Sequence, residues 1–157
     1  MPGTKRALFL DWGGTLALTK DNRTVVDAAG NPILMPNVPV VLARERPGYD
    51  ACFIVSNKAR IAKGEISVAE VVRRFAWANE QLGRLFIDWR LCPHTDDDGC
   101  DCRKPKPGMF LELADLYGID PPSSTHVGNR EKDRAAAAAA GVGRFVWAED
   151  FFGWGMS

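Results

Sequence analysis

A carboxylate and a turn built for close approach stand together near the N-terminus, in Asp11-Trp12-Gly13-Gly14-Thr15. The residues before it, Ala7-Leu8-Phe9-Leu10, are all apolar, the pattern of a strand buried on both faces of a parallel sheet. Open α/β sheets bind ligands at the carboxyl ends of their strands, which is where such a strand would present Asp11. Gly13 and Gly14 permit a tight turn and let the backbone approach a ligand. The same pentapeptide also suits a strand-ending Asp that caps a turn through its own side chain. Signals elsewhere in the chain must decide between these.

A second chemically capable group is Cys92-Pro93-His94 followed by Cys100-Asp101-Cys102. Three thiols and an imidazole in one loop can surround Zn²⁺ tetrahedrally, with every position filled by protein, as in a structural site. The alternatives are a disulfide or free thiols in the core. A disulfide does not suit a chain without an export signal, and Asp96-Asp97-Asp98-Gly99 makes the loop too polar for a core. Zn²⁺ is therefore expected on Cys92, His94, Cys100 and Cys102. Cys52, inside an apolar run, fits an ordinary buried thiol. Directly after the cysteines comes Arg103-Lys104-Pro105-Lys106-Pro107-Gly108, whose prolines stiffen a cationic loop. Such a loop is commonly solvated surface, but three cations beside a sheet edge suggest an anionic ligand.

The elements that must position these groups follow from periodicity and breakers. Ala51–Val55 is a second apolar run ending on Ser56-Asn57, Phe86–Leu91 a third strand, Thr125–Val127 a fourth ending in Gly128-Asn129, and Arg144–Trp147 a fifth. Between them, helices are expected at Val38–Arg46, from the capping box Ser67-Val68-Ala69-Glu70 to about Leu82, at Gly108–Tyr117, and at Lys132–Ala140, which holds the alanine run Ala135–Ala140. Residues Leu16–Pro36 are irregular, with a short hairpin flap expected from Thr24–Asp27 and Pro32–Met35 around Ala28–Asn31. The tail Ala148–Ser157, with Phe151, Phe152 and Trp154, is expected to pack back on the domain. Alternating strands and helices make a parallel α/β sheet with right-handed crossovers. The 157 residues fit one domain, 1–157. Lys plus Arg equals Asp plus Glu, 20 each, so no global field draws nucleic acid or a membrane surface. No apolar run reaches membrane-spanning length, and a cytoplasmic protein is the expectation. Nothing in the sequence signals an oligomeric state.

Four strands thus end on polar signals: Asp11, Ser56-Asn57, Lys104, and Gly128-Asn129 with Asp133. This constellation resembles the haloacid dehalogenase-like phosphohydrolases. More narrowly it is similar to their capless subgroup, which contains the D-glycero-D-manno-heptose 1,7-bisphosphate phosphatases and the histidinol-phosphate phosphatase domain. The similarity is carried by Phe9–Leu16, Ile54–Asn57 with Ile61–Gly64, Cys92–His94, Cys100–Met109 and Val127–Asp133, and spans nearly the whole chain. It implies a Rossmannoid parallel sheet with helices on both faces, a zinc-binding loop and no large cap domain. It also implies phosphoryl transfer from a small phosphorylated substrate to Asp11. In that scheme Mg²⁺ lies on Asp11, the Gly13 carbonyl and Asn129 or Asp133. Ser56 and Lys104 serve the catalytic centre. Gly14, Thr15, Asn57 and Arg103 belong to the substrate side, with Arg103 reaching a second anionic group.

Two positions depart from the family pattern. The usual Asp-x-Asp-Gly-Thr is here Asp11-Trp12-Gly13-Gly14-Thr15, so the general acid–base carboxylate is missing; such a group is worth about 10²–10⁴-fold. The usual Gly-Asp is Gly128-Asn129, a neutral residue where Mg²⁺ favours a carboxylate. The expected function is a phosphatase on a sugar-phosphate type of metabolite, slowed by both losses. The alternatives are a non-catalytic relative that binds a phosphorylated ligand or a protein, and a phosphotransferase. A nucleic-acid-binding zinc ribbon does not fit an acidic loop in a neutral chain.

The cysteine segment gives the first test. The purified protein should carry about one zinc per chain. Cys100→Ser or Cys102→Ser should release it and lower the melting temperature. Metal analysis that finds no zinc in folded, chelator-free protein would exclude the site.

Overall fold

The computed structural model describes residues 3–155. In chain order its elements are β1 (Ala7–Leu10), β2 (Thr19–Lys20), β3 (Arg23–Thr24), α1 (Val38–Glu45), β4 (Ala51–Asn57), α2 (Ala59–Ala62) and α3 (Val68–Gln81). They continue with β5 (Phe86–Cys92), α4 (Gly108–Tyr117), β6 (Thr125–Gly128), α5 (Glu131–Ala139), β7 (Arg144–Trp147) and α6 (Ala148–Phe152). Five strands form one parallel sheet in the order β5-β4-β1-β6-β7. β1 is central because it is the one strand with no polar residue on either side, and all four of its residues are buried. Leu10 lies opposite Ile54 on β4 and Val127 on β6. The chain leaves β1 toward β4 and β5, then crosses to β6 and β7, so strand order reverses at β1 and opens a crevice at its carboxyl end.

Alternation along β1 divides the core into two layers, because successive strand side chains point to opposite faces. Leu8 and Leu10 pack with Leu42 of α1, Val71 and Phe75 of α3, and Phe152 of α6. Ala7 and Phe9 pack with Phe53, with Phe110 and Leu113 of α4, and with Ala136 and Ala137 of α5. Helices thus cover both faces, the Rossmannoid α/β arrangement that the sequence predicts. The alanine run resolves into a buried stripe of Ala136, Ala137 and Ala140, with Ala135, Ala138 and Ala139 exposed. The capping box forms in part: the Ser67 hydroxyl accepts the Glu70 N–H at 3.0 Å, which satisfies one orphan donor of α3.

Two local features differ from expectation. The flap is a hairpin nearer the motif, β2 with β3, turning at Asp21-Asn22, which both take positive φ (52° and 61°) as a two-residue I′ turn requires. Trp12 fixes it there. Its indole is buried against Phe75, ring centroids 4.8 Å apart, and its Nε1–H donates to Thr24 Oγ1 at 3.0 Å. Of the expected pairing further on, a single bridge between Val26 and Pro32 remains, closed by Asp27 accepting from the Ala29 and Asn31 N–H groups. The short α2 follows β4 without a periodic signal to announce it. The tail packs back as expected, with α6 buried through Phe151 and Phe152 and Trp154 Nε1–H donating to the Pro36 carbonyl at 2.6 Å. Met156 and Ser157 of that tail lie outside the described residues. No helix among the described residues is long and apolar enough to cross a membrane.

Candidate active site

Four strand ends converge on Lys104, whose side chain is 1% exposed. Its Nζ lies 3.0 Å from Asp11 Oδ1, 2.8 Å from Asp133 Oδ1 and 2.9 Å from the Val55 carbonyl. An ammonium has three donors, and all three are taken. Asn57 fixes the loop that carries it: the side-chain amide accepts the Lys104 N–H at 2.9 Å and donates to the Lys104 carbonyl at 3.1 Å. Asp133, in the first turn of α5, accepts the N–H groups of Asn129 and Arg130 at 3.1 and 3.0 Å through Oδ2. A carboxylate here satisfies orphan helix donors and the dipole together. Thr15 Oγ1 stands 3.4 Å from Asp11 Oδ2.

The electrostatics follow from two carboxylates sharing one cation out of water. Burial raises the Asp11 carboxyl above its usual range; Lys104 opposes this and the Asp133 charge adds to it. At Asp133, burial also pushes upward, but Lys104 outweighs it and the carboxyl is depressed. Lys104 loses solvation by burial, yet Asp11 and Asp133 raise it, so the ammonium persists.

A cleft of about 610 Å³ opens over Asp11. Asp11, Gly13, Ser56, Asn57, Arg103, Lys104 and Asp133 all line it, so the structure gathers seven of the residues that the sequence singled out. Ser56 is 1% exposed at the end of β4. Arg103 is held in the wall: its Nε donates to Asp96 Oδ1 at 2.6 Å and its NH1 to the His94 carbonyl at 3.2 Å. Gly14 and Thr15 do not line the cleft. The Gly14 N–H donates to the Ala17 carbonyl at 2.9 Å, which occupies the donor expected for a substrate. A Cβ at Gly14 would run into the Asn129 amide, so Asn129 folds over this turn rather than into the cleft lining. Gly13 lies outside the left-handed region, and a Cβ there would meet only the Thr19 methyl, at 3.2 Å.

Sequence reasoning missed the basic wall around these residues. Lys58, Arg60, Arg74, Arg130 and Lys132 also face the cleft. Asn57-Lys58-Ala59-Arg60 directly follows a strand end, and that position was the available signal. Burial pushes the Lys58 ammonium down to about 8, while Asp11 pulls it upward.

Beside the cleft, Cys92 Sγ, His94 Nδ1, Cys100 Sγ and Cys102 Sγ lie within 4.8 Å of one another. His94 Nδ1 is 3.3 Å from both Cys92 Sγ and Cys102 Sγ, and Cys92 Sγ is 3.5 Å from Cys100 Sγ. All the cysteines are free. Three thiols and one imidazole at the corners of a small tetrahedron fit Zn²⁺ in donor type and number.

The comparisons with known proteins agree with this geometry. The family model of the haloacid dehalogenase-like hydrolases matches residues 5–141. The chain therefore belongs to that hydrolase family, and its curated relatives are phosphatases, phosphoric monoester hydrolases. One relative is the D-glycero-beta-D-manno-heptose-1,7-bisphosphate 7-phosphatase of Vibrio cholerae serotype O1, 35% identical over 149 residues, covering 88% of this chain and 78% of that protein. Its counterpart from Escherichia coli O6:H1 is 32% identical, covering 89% and 77%. Among solved structures, the D,D-heptose 1,7-bisphosphate phosphatase of B. bronchiseptica, complexed with magnesium and phosphate, superposes with a TM-score of 0.78 at 27% identity, covering 88% of this chain and 78% of that one.

One buried group near the site carries a pH signature. His126 on β6 is fully buried; one ring nitrogen pairs with the Phe9 carbonyl at 2.9 Å and the other, Nε2, has no partner. Burial, with Lys104 adding, pushes its pKa down to about 3, against an ordinary 6.5. The imidazole is therefore neutral in the fold and protonates on unfolding. Its contribution to stability is complete above pH 6.5 and is lost as pH falls from there toward 3. Unfolding free energies from denaturant titrations across that window should fall less steeply in His126→Gln than in the wild type, by at most about 1.4 kcal/mol per pH unit. Parallel curves would show that His126 is not buried neutral.

Proposed function

We propose that this chain, as a single domain over residues 1–157, is a phosphatase that acts through Asp11 on a small phosphorylated sugar, with a sugar bisphosphate of the heptose 1,7-bisphosphate type as the leading substrate. The observation that carries this is the Asp11 carboxylate, at the end of the central strand, paired with buried Lys104 on the floor of a cationic cleft. The relatives' substrate fits that cleft chemically: one phosphoryl group at Asp11, and a second anion within reach of Arg103 on the zinc-loop wall.

In the first step an Asp11 oxygen attacks phosphorus, the phosphorus–oxygen ester bond breaks, and the sugar oxygen leaves with a proton. Water then attacks the aspartyl-phosphate, releases orthophosphate and returns the carboxylate. Ser56 donates its hydroxyl to a phosphoryl oxygen. Lys104 orients Asp11 and offsets its charge, and the basic walls keep the anion in place. Asn57, with both ends of its amide on the Lys104 backbone, positions that lysine. Mg²⁺ suits the oxygen donors at the cleft, Asp11 and the Gly13 carbonyl, and when bound it would supply charge neutralisation on the phosphoryl oxygens; Asn129, folded over the Gly14 turn outside the cleft lining, would have to turn to join them. Asp133 does line the cleft, with one carboxylate oxygen on Lys104 and the other on the Asn129 and Arg130 amides. Zn²⁺ on Cys92, His94, Cys100 and Cys102 would stiffen the segment that leads into Arg103 and Lys104.

Gly13 supplies no carboxylate for the leaving group, so solvent provides that proton and turnover is slow. A binding-only role is favoured by the same glycine together with Asn129. Orthophosphate release from D-glycero-D-manno-heptose 1,7-bisphosphate and a panel of sugar phosphates with Mg²⁺ separates the two. Gly13→Asp is sterically accessible, because the Thr19 methyl needs to give only a few tenths of an ångström. With Asn129→Asp it should raise the rate toward the general acid–base factor of about 10²–10⁴. A double variant that folds and binds Mg²⁺, yet releases no more phosphate than a blank, would overturn the phosphatase reading.

A further inference from the structure

The cleft holds more cations than the sequence motifs account for, and most of them are already committed. The three Lys104 donors go to Asp11, Asp133 and Val55. Arg103 is bound to Asp96 and the His94 carbonyl. Arg60 pairs with Glu65 at 2.7 Å, and Arg74 with Glu70 at 3.2 Å. Arg130 donates to Asn22 at 2.6 Å, across the cleft mouth. Lys58 is different. Its main-chain N–H is anchored on the Cys92 carbonyl at 2.7 Å, directly after Asn57, so its backbone is fixed at the floor of the site. Among the described residues, no carboxylate or carbonyl accepts from its ammonium.

Lys58 directly follows the end of β4 that carries Ser56 and Asn57, whereas Lys132 is the second residue of α5. Asp11 and Lys104 are the leading charges acting on Lys58, whereas Lys132 feels Arg103, Asp96 and Arg130 at the rim. Lys63 is exposed. A half-buried cation without a partner is costly unless an anion completes it.

We propose that Lys58 binds the transferring phosphoryl group, as the donor that Lys104 cannot be without giving up one of its three partners. The proposal rests on the phosphatase reading above. The ligand class is a phosphomonoester dianion or orthophosphate, held between Lys58 and Ser56 beside Asp11. A cation here also keeps the anion close to a nucleophile that is itself negative, where like charges otherwise repel.

The test is orthophosphate binding by calorimetry, in magnesium-containing buffer, on the full chain. Wild type is compared with Lys58→Met, Lys58→Gln, Lys58→Arg and Lys5→Met. Lys5 lies before β1, at the opposite end of the sheet, so its variant controls for the loss of one charge. Melting temperatures report whether each variant folds, and Lys58→Gln serves if Lys58→Met does not. Loss of a charge-assisted hydrogen bond should weaken orthophosphate by about ten- to a hundredfold in the neutral variants. Lys58→Arg should keep most of the affinity, and Lys5→Met all of it. If wild type binds orthophosphate and the neutral Lys58 variants bind it equally well, the proposal is overturned while the phosphatase reading stands. If wild type itself binds none, both fall. A loss shared equally by Lys5→Met would reduce the effect to net charge and also overturn the assignment.

Discussion

The buried ion pair of Lys104 with Asp11 and Asp133 constrains everything around it. Desolvation costs several kcal/mol per ion, and Coulomb attraction compensates only when geometry and hydrogen bonding are complete. Here they are. The ammonium meets two carboxylates and a carbonyl, and Asp133 takes two amides at the start of α5. No single element can supply that set. It needs the end of β1 for Asp11, β4 for Val55 and Asn57, the loop beyond β5 for Lys104 and the turn after β6 for Asp133. The five-stranded order, with β1 in the middle, is the topology that delivers them to one point. Removing either carboxylate would leave a buried charge poorly compensated, which is why the cluster acts on stability as well as chemistry.

Rigidity around that cluster comes from both sides. On one side, Asn57 grips the Lys104 main chain, and the Cys/His loop ends two residues before it. On the other, Trp12 is wedged against Phe75 and holds the hairpin through Thr24. Arg130 then ties the hairpin tip to the β6–α5 turn through Asn22. The cleft is consequently framed by elements that are each anchored in the core. With nine Lys or Arg residues in its lining against four carboxylates, it favours anions by charge.

Much of this was legible in the sequence, for identifiable reasons. β1 and the first five residues of β4 are short and wholly apolar, so they announce burial on both faces, and they run into Asp11 and Ser56-Asn57, which build the site. The capping box of α3 and the glycine after α4 work at the expected positions because their mechanisms are local. What escaped is tertiary. The hairpin register is set by Trp12 reaching Thr24, and a partner twelve residues away leaves no periodic mark. The basic wall escaped because Lys58, Arg60, Arg74, Arg130 and Lys132 are scattered along the chain and meet only in space. Asn57 shows a subtler gap. Its type and place by the cleft suggest a substrate contact, yet both ends of its amide face the Lys104 backbone. The same holds for Gly14, whose N–H closes the Trp12–Ala17 turn. The commitments of Asp133 became visible only once the start of α5 was seen beside Lys104.

Asp11 as the phosphoryl acceptor is the claim on which the chemistry stands, and acid-quenched mass spectrometry reads it directly. After mixing with a phosphorylated sugar and Mg²⁺, the peptide containing Asp11 should gain the mass of one phosphoryl group. The label should disappear on treatment with hydroxylamine and be absent from Asp11→Asn. Phosphate release that continues in Asp11→Asn, or substrate consumption with no label on that peptide at any quench time, would contradict the role of Asp11.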